Sequence, residues 1–345
     1  MTFKNFAAIF TSVGTYQLKD VAGRPIAIDA LVEIFRTSGV QYISGLTNKL
    51  GQPTQHIKAI LANVLKAIDL GIDETWVFDG GGNVDKADEE KRRKKIREKA
   101  TINLAAKAKE IDELKSAVEG LSMEEIKEVD PGFEQSIADK EEELRILKVK
   151  NPNGSAVHQY IVDTYFILEC LGVKHFRTPK GVEAEQLAVA MPADGMRTVD
   201  PDHLLFGGRA IYKKISKQSG KYAVYTLEAC LAEYKLTMKQ FIQVAVALGT
   251  DFAPKVPRVG PKTVLKKVLA GTIEWTAEQN AAVDMFLASP AKMAGIKYEV
   301  KKPKRTVESI AKLRAWLVDV QNFGAARLDK QLAKLPEMVD AAAKK

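Results

Sequence analysis

Seven carboxylates stand in contexts suited to gathering divalent metal. Asp29 closes the apolar run Pro25-Ile26-Ala27-Ile28, and Asp79 closes Trp76-Val77-Phe78. Glu183 and Glu185 sit two apart in Val182-Glu183-Ala184-Glu185, Asp200 and Asp202 flank Pro201, and Asp251 lies in Leu248-Gly249-Thr250-Asp251-Phe252. Acidic residues number 44 of 345, so any one of them at a strand end says little, whereas the set says more. Strand ends of an α/β sheet carry distant side chains into one crevice. Oxygen-rich clusters suit hard, hydrated ions such as Mg²⁺ or Mn²⁺, and two such ions clamp the attacking and leaving oxygens of a phosphodiester. The chemistry implied is that of a nuclease.

Spacing inside the clusters constrains the backbone. Asp200 and Asp202 face one way if the segment is extended, and Pro201 favours that by pushing the preceding residue out of the helical region. Glu183 and Glu185 would diverge by about 200° in a regular helix. They converge only if Glu183 belongs to the loop entering the helix, which Pro179 and Gly181 favour. The four histidines show no ligand spacing, and His203, beside Asp202, reads as a packed or hydrogen-bonded neighbour.

The elements that must position these groups alternate. Arg24 to Asp29 and Glu74 to Asp79 read as buried strands. Between them Ile57, Ile60, Leu61, Val64, Leu65 and Ile68 follow helical spacing. From about 85 to 150, lysine and glutamate dominate a helix-rich segment broken at Asp130-Pro131-Gly132. A helix through Tyr160, Tyr165, Leu168 and Leu171 ends at Gly172, and strands are predicted near 173–177, 196–199 and 210–215. Residues 237–270 read as two helices joined by a proline-broken loop, and further helices are predicted around 307–317 and 325–332. The start, Met1 to Phe10, spaces its large residues like an amphipathic helix rather than a secretory signal.

Bulk properties agree. The net charge of +8 and pI near 9.1 favour a polyanionic partner. Cys170 and Cys230 read as small core residues rather than a disulfide or metal knot, and no apolar run reaches membrane-spanning length. An intracellular protein without membrane association is expected.

At these residues the chain resembles the flap endonuclease family, the XPG-type structure-specific 5′ nucleases. Gly23-Arg24-Pro25-Ile26-Ala27-Ile28-Asp29-Ala30 and Trp76-Val77-Phe78-Asp79-Gly80 are similar to the family's first two metal-binding strands. Gly181-Val182-Glu183-Ala184-Glu185 matches its paired glutamates, and Asp200-Pro201-Asp202 with Leu205-Phe206-Gly207 its paired aspartates. Leu248-Gly249-Thr250-Asp251-Phe252 and Val259-Gly260-Pro261-Lys262 match its helix–two-turn–helix, which grips duplex DNA. The resemblance covers residues 1 to about 270 and implies two Mg²⁺ per active site, with Mn²⁺ able to substitute, held by all seven carboxylates. It also implies K⁺ in the helix–two-turn–helix loop.

Basic and aromatic residues extend the likeness. Asp85 can cap a helix on which Lys86 and Arg93, two turns apart, share a face. The resemblance places them at the base of a helical arch, steering the scissile phosphate as catalytic residues. Phe35 lies where the family stacks an aromatic on a base, although a core phenylalanine would read the same way. The Gly260-Pro261 pair is expected to open a helix whose amides bind a backbone phosphate, with Lys262, Lys266 and Lys267 adding charge. Lys301-Lys302-Pro303-Lys304-Arg305 reads equally as a nuclear localisation signal or a phosphate-contacting patch.

There are departures as well. Thr2 replaces the family's usual glycine, and Gly81-Gly82-Asn83 its usual Lys-Pro-Pro. Arg258 stands where the first glycine of a Gly-x-Gly turn is common, so that loop's backbone is expected to differ. The stretch between Asp79 and Glu183 is lengthened, in the acidic part near 116–147. The end of the chain lacks the family's sliding-clamp box.

The expected architecture is α/β, a mixed and mostly parallel sheet flanked by helices in the PIN-like 5′ nuclease manner. One catalytic domain is expected, comprising a nuclease region at 1–84, a helical arch insertion at 85–154 and a second nuclease region at 155–236. The helix–two-turn–helix at 237–270 and a C-terminal helical region at 271–345 complete it. The expected function is that of a metal-dependent 5′ flap endonuclease, a monomer acting on flaps or junctions in DNA replication and repair, with 5′ exonuclease activity. It would work in the nucleus of a eukaryote or otherwise in the cytoplasm. The alternatives are a related 5′ exonuclease or junction resolvase, or a catalytically silent DNA-binding protein of the same fold.

Overall fold

Apolar runs that end in a turn and resume after a helix give parallel strands, and here they give most of one sheet. The computed structural model describes residues 6–11, 13–38, 46–81, 87–150, 154–214 and 221–335. In chain order it begins with α1 (Phe6–Ile9), β1 (Gly14–Gln17), a 3₁₀ turn, β2 (Pro25–Asp29), α2 (Ala30–Ser38), α3 (Gln55–Asp69) and β3 (Asp73–Phe78). A helical arm follows, made of α4 (Ala87–Ala117), α5 (Met123–Val129) and α6 (Phe133–Lys150). The sheet resumes through α7 (Gly154–Cys170), β4 (Lys174–Arg177), α8 (Ala184–Ala188), β5 (Met196–Arg197), α9 (Asp202–Leu205), β6 (Ala210–Lys214) and β7 (Lys221–Thr226). The chain continues with α10 (Leu227–Tyr234), α11 (Met238–Leu248), α12 (Val264–Leu269), α13 (Ala277–Ala294), α14 (Val307–Ala315) and α15 (Ala325–Leu332).

The strand order is β1-β7-β6-β5-β2-β3-β4. The pairs β2–β3, β2–β5, β3–β4 and β5–β6 are parallel, whereas β7 is antiparallel to both β1 and β6. The expected mixed, mostly parallel sheet is therefore present. Strand β2 sits between β3 and β5, so successive connections leave it in opposite directions. That is the switch point at which α/β sheets open a crevice beyond their carboxyl ends.

The helices cover the sheet in separate apolar layers. One core joins α2, α3, α7, α14 and α15 through Ile34, Ile57, Leu61, Ile167, Leu313 and Leu328. Another gathers α1 and α9 to α13 around Phe10, Phe206, Phe241 and Phe286. Cys170 and Cys230 are buried and free, as expected.

The arm has a different physical basis. Ile111 and Ile126 are its buried apolar side chains among the described residues, and α4 has no apolar stripe comparable to that of α3. Lys107 bridges to Glu143, Lys115 to Glu141 at 2.5 Å and Lys140 to Glu110 at 2.5 Å, tying α4 to α6. Asp130-Pro131-Gly132 forms the predicted break, where Gly132 N–H donates to Asp130 Oδ1 at 2.9 Å.

The structure corrects the sequence reading at several points. The strand predicted over 196–199 stops at Arg197, and Pro201 has φ −72°, ψ −5° and caps α9. Asp202 therefore begins a short helix and does not share an extended strand with Asp200. Proline's ring fixes φ near −65°, which suits a helix start as well as an extended chain. Helices α10 and α13 and strands β1 and β7, which pair antiparallel at one end of the sheet, were not predicted from the sequence.

Candidate metal centre and nucleic-acid interface

The parallel register carries the carboxylates to one edge. Asp29 is opposite Val77 in the β2–β3 ladder, and Ile28 is opposite Arg197 in β2–β5. Asp79 thus leaves β3 beside Asp29, while Asp200 leaves β5 on the other side. Glu183 and Glu185 arrive after β4. Glu183 has extended dihedrals, φ −86° and ψ 156°, and caps α8, with Glu185 in its first turn. This is the loop-to-helix placement that lets the two converge.

A polar clamp brings that loop to Asp79. Thr178 Oγ1 accepts from Gly80 N–H at 2.7 Å and donates to the Val182 carbonyl at 2.5 Å. A Cβ on Gly80 would lie 2.3 Å from the Thr178 carbonyl oxygen, so this crossing tolerates only glycine. The Ala184 N–H then donates to Asp79 Oδ1 at 2.6 Å.

Electrostatics show which groups face one another. Asp29 is buried, and its carboxyl is pushed up to about 7 by burial first and by the charge of Asp79 second. Hydrogen bonds oppose this shift without cancelling it: from Val32 N–H at 2.9 Å, from Thr198 Oγ1 at 3.0 Å, and one shared with the Glu185 carboxyl. Glu185 is raised well above the usual carboxylate range by burial and then by Asp29, Asp79, Asp200 and Glu183. Asp202 is buried, and its N–H donates to Asp200 Oδ1 at 3.1 Å. His203 Nδ1 pairs with the Glu185 carbonyl at 3.0 Å, and burial pushes the imidazole down to about 4. It is the packed neighbour that its sequence context suggests.

The structure thus brings Asp29, Asp79, Glu183, Glu185 and Asp200 together, ties Asp202 to them through Asp200, and puts Asp251 half-buried in a separate turn after α11. Among the described residues no three His, Cys, Asp or Glu side chains close into a ready-made metal cage. The donor set nonetheless fits a divalent cation. These are hard oxygens, and burial together with mutual repulsion lifts two of them out of their ordinary range, a cost that a bound cation would offset.

The other site residues are placed less fully. Lys86 and its proposed cap Asp85 fall outside the described residues. Arg93 lies on α4, with its side chain outside the description. Phe35 is 44% exposed on α2, which excludes the core alternative. Lys262 and Lys266 are exposed and Lys267 half-buried. Pro261 does not open α12: residues 261–263 form a turn and the helix starts at Val264, with Gly260 O accepting from Thr263 and Val264 N–H at 3.0 Å each. Gly260 N–H itself donates to Thr263 Oγ1 at 3.2 Å, so it is already engaged. Arg258 has φ 60°, the left-handed conformation that glycine adopts freely. Its side chain is absorbed as local strain.

Sequence reasoning also missed polar residues that shape the site. Thr198 bridges Asp29 and Asp200, accepting from Asp200 N–H at 3.1 Å. Arg197, Glu33 and Glu74 form a buried ionic group beneath the crevice. A charged residue between two buried strand positions, as Arg197 stands, is the signal that could have found it.

The comparisons with known proteins agree with this geometry. The sequence matches the XPG N-terminal domain over residues 1–100 and the XPG I-region over 173–251, together just over half of the chain. The chain belongs to the XPG family of nucleases, in which flap endonucleases also fall. Flap endonuclease 1 of Leishmania braziliensis is 28% identical over 348 residues, spanning 92% of this chain and 80% of that protein. In three dimensions the chain resembles flap endonuclease-1 from Methanococcus jannaschii, with a TM-score of 0.63 and 18% identity over 99% of this chain and 100% of that one. It also resembles the catalytic core of Rad2 in complex with a DNA substrate, with a TM-score of 0.60 and 17% identity over 96% and 99% of the two chains. The expected PIN-like nuclease fold is therefore present.

Proposed function

We propose that this chain is a metal-dependent, structure-specific 5′ nuclease that cuts DNA where single strand meets duplex, 5′ flaps foremost, with 5′ exonuclease activity. The observation that carries this reading is the set of mutually repelling carboxylates gathered beyond the carboxyl ends of the parallel strands. Asp29, Asp79, Glu183, Glu185, Asp200, Asp202 and Asp251 would hold two Mg²⁺, or Mn²⁺ in their place. When bound, such ions supply activation of the attacking water and charge neutralisation at the leaving 3′ oxygen.

The chain's own residues do the rest. Lys86 and Arg93 orient the scissile phosphate and offset charge that develops on it. Phe35, exposed on α2, offers a face for stacking an unpaired base, a contact worth roughly 1–3 kcal/mol. Lys262, Lys266 and Lys267 hold the duplex backbone by charge beside the Gly260 turn, with K⁺ held by carbonyls of the same loop. No described helix is long and apolar enough to cross a membrane, and we place the protein with nuclear or cytoplasmic DNA as a monomer.

A duplex bearing a 5′ flap, labelled at that end, tests the reading. Mg²⁺ should release the labelled flap and EDTA should stop the release. No cleavage with Mg²⁺, or undiminished cleavage in EDTA, would overturn it.

A further inference from the structure

We propose that Thr198 is a positioning residue for metal, whose hydroxyl holds Asp29 and Asp200 at a fixed offset, and that the buried Arg197 group beneath it holds Thr198. The inference rests on the metal reading above and goes beyond it by naming what spaces the ligands.

The hydroxyl sits at the seam of the sheet's switch point. It donates its single proton to Asp29 Oδ2 at 3.0 Å and accepts the Asp200 N–H at 3.1 Å. Thr198 is 2% exposed, so water does not compete for either bond. Asp29 ends β2 and Asp200 follows β5, and a single oxygen atom of Thr198 meets the carboxylate of the first and the backbone amide of the second. The Asp29 bond fixes which edge of that carboxylate turns to the crevice, because Oδ1 is engaged by Val32 N–H at 2.9 Å. The Asp200 bond fixes the backbone from which Asp200 Oδ1 accepts the Asp202 N–H. A chain of hydrogen bonds thus runs from Asp29 through Thr198 and Asp200 to Asp202.

What holds Thr198 is the preceding residue. Arg197 Nη1 donates to Glu74 Oε1 at 2.7 Å, and Nε lies 3.1 Å from Glu33 Oε1. Glu74 Oε2 accepts from Trp76 Nε1 at 2.9 Å, and Glu33 is also paired with Arg36. Arg197 is thereby fastened to α2 and β3, the elements on either side of Asp29 and Asp79. Buried ionic groups of this kind are often no more stabilising than apolar replacements, so stability alone does not account for one here. Geometry does, since a two-residue strand with a single-residue register to β6 has little else to fix its end. Residues that orient metal ligands in this way typically change affinity by about 10–100-fold when removed.

The test uses the full-length protein without DNA, with bound Mn²⁺ counted directly by electron paramagnetic resonance. Thr198→Val keeps the shape and removes the hydroxyl; it should weaken Mn²⁺ binding by about tenfold or more. Thr198→Ser should restore it, and circular dichroism should report the same fold for both. In an Asp200→Ala background, Thr198→Val should change Mn²⁺ affinity far less, because one of the two groups it spaces is gone; a purely structural role would act equally in both backgrounds. If Thr198→Val does not fold, Thr198→Ala is the second hydroxyl-free variant and takes the same readout. Wild-type affinity in a folded hydroxyl-free variant overturns the proposal and leaves the metal reading standing. Failure of the wild-type protein itself to bind Mn²⁺ overturns both.

Discussion

Two groups of buried carboxylates lie on either side of the residue pair Arg197-Thr198, and they are treated in opposite ways. Below, Glu33 and Glu74 share the guanidinium of Arg197, and Glu33 has Arg36 as well. Its two arginines hold Glu33 below the usual carboxylate range despite burial, while Glu74, with one, is still raised by burial. Above, Asp29 and Glu185 face further carboxylates and are both raised. The fold supplies cations where it closes the structure and leaves repulsion in the crevice, where the proposed metal would bind. A buried acid is thus informative only together with its neighbours.

The sharpest way to break this contrast is at the crevice. Asp200→Ala should reduce flap cleavage to background while duplex binding stays within a few-fold, because the grip depends on phosphate contacts elsewhere. Cleavage at the wild-type rate would remove Asp200 from the metal site.

The lower group should respond in stability. Arg197→Met strands Glu74, leaves Glu33 with Arg36 alone, and should cost about 3–5 kcal/mol in chemical denaturation. Adding Glu33→Leu and Glu74→Gln should recover most of that loss. If the triple variant were as unstable as the single one, uncompensated charge would not be the cause.

Acidity separates the two groups next. Asp29 in the folded protein keeps its proton up to about pH 7, whereas the ordinary value is 3.8. Between those values the folded state binds more protons than the unfolded state, so stability falls as pH rises. In EDTA the melting temperature should therefore drop between pH 5 and pH 8. Asp29→Asn should flatten that slope, and added Mg²⁺ should stabilise more at pH 8 than at pH 5. A metal-free melting temperature that rose over this range would contradict the electrostatic account.

The smallest effect is expected away from both groups. Lys262→Ala with Lys266→Ala should weaken binding to all duplex sequences alike and flatten the log–log salt dependence by about one unit per lost contact. Near-normal single-turnover cleavage should return at saturating enzyme. An unchanged salt slope would move the duplex grip to the basic run 301–305.

Much of this was legible in the sequence where one residue type permits one outcome. Apolar runs ending at Asp29 and Asp79 gave strands β2 and β3 within a residue, and Pro179 and Gly181 placed Glu183 ahead of α8. Pro201 misled, because a fixed φ near −70° serves a helix start and an extended chain equally, and ψ, which decides, is set by the packing of α9. Pro261 misled for the same reason. The Arg197 group and Thr198 were illegible because their partners come from elements far apart in sequence, and no local pattern marks a hydroxyl that will join the Asp29 carboxylate to the Asp200 amide. Strands β1 and β7 were missed because β1 pairs with a strand far along the chain and the side chains of both alternate weakly.

The length of α4 has a consequence for scale. At 1.5 Å per residue, its 31 residues make a rod of about 46 Å, the axial length of roughly 13 base pairs at 3.4 Å each. Along that rod the sign of charge reverses. Residues 91–109 carry nine lysines and arginines against one glutamate, and residues 110–143, from the end of α4 through most of α6, carry thirteen carboxylates against three lysines. The two stretches meet where Lys107 pairs with Glu143, and away from that seam charge is felt over only about 8 Å at physiological salt. A polyanion such as nucleic acid would be drawn to the basic stretch and repelled by the acidic one.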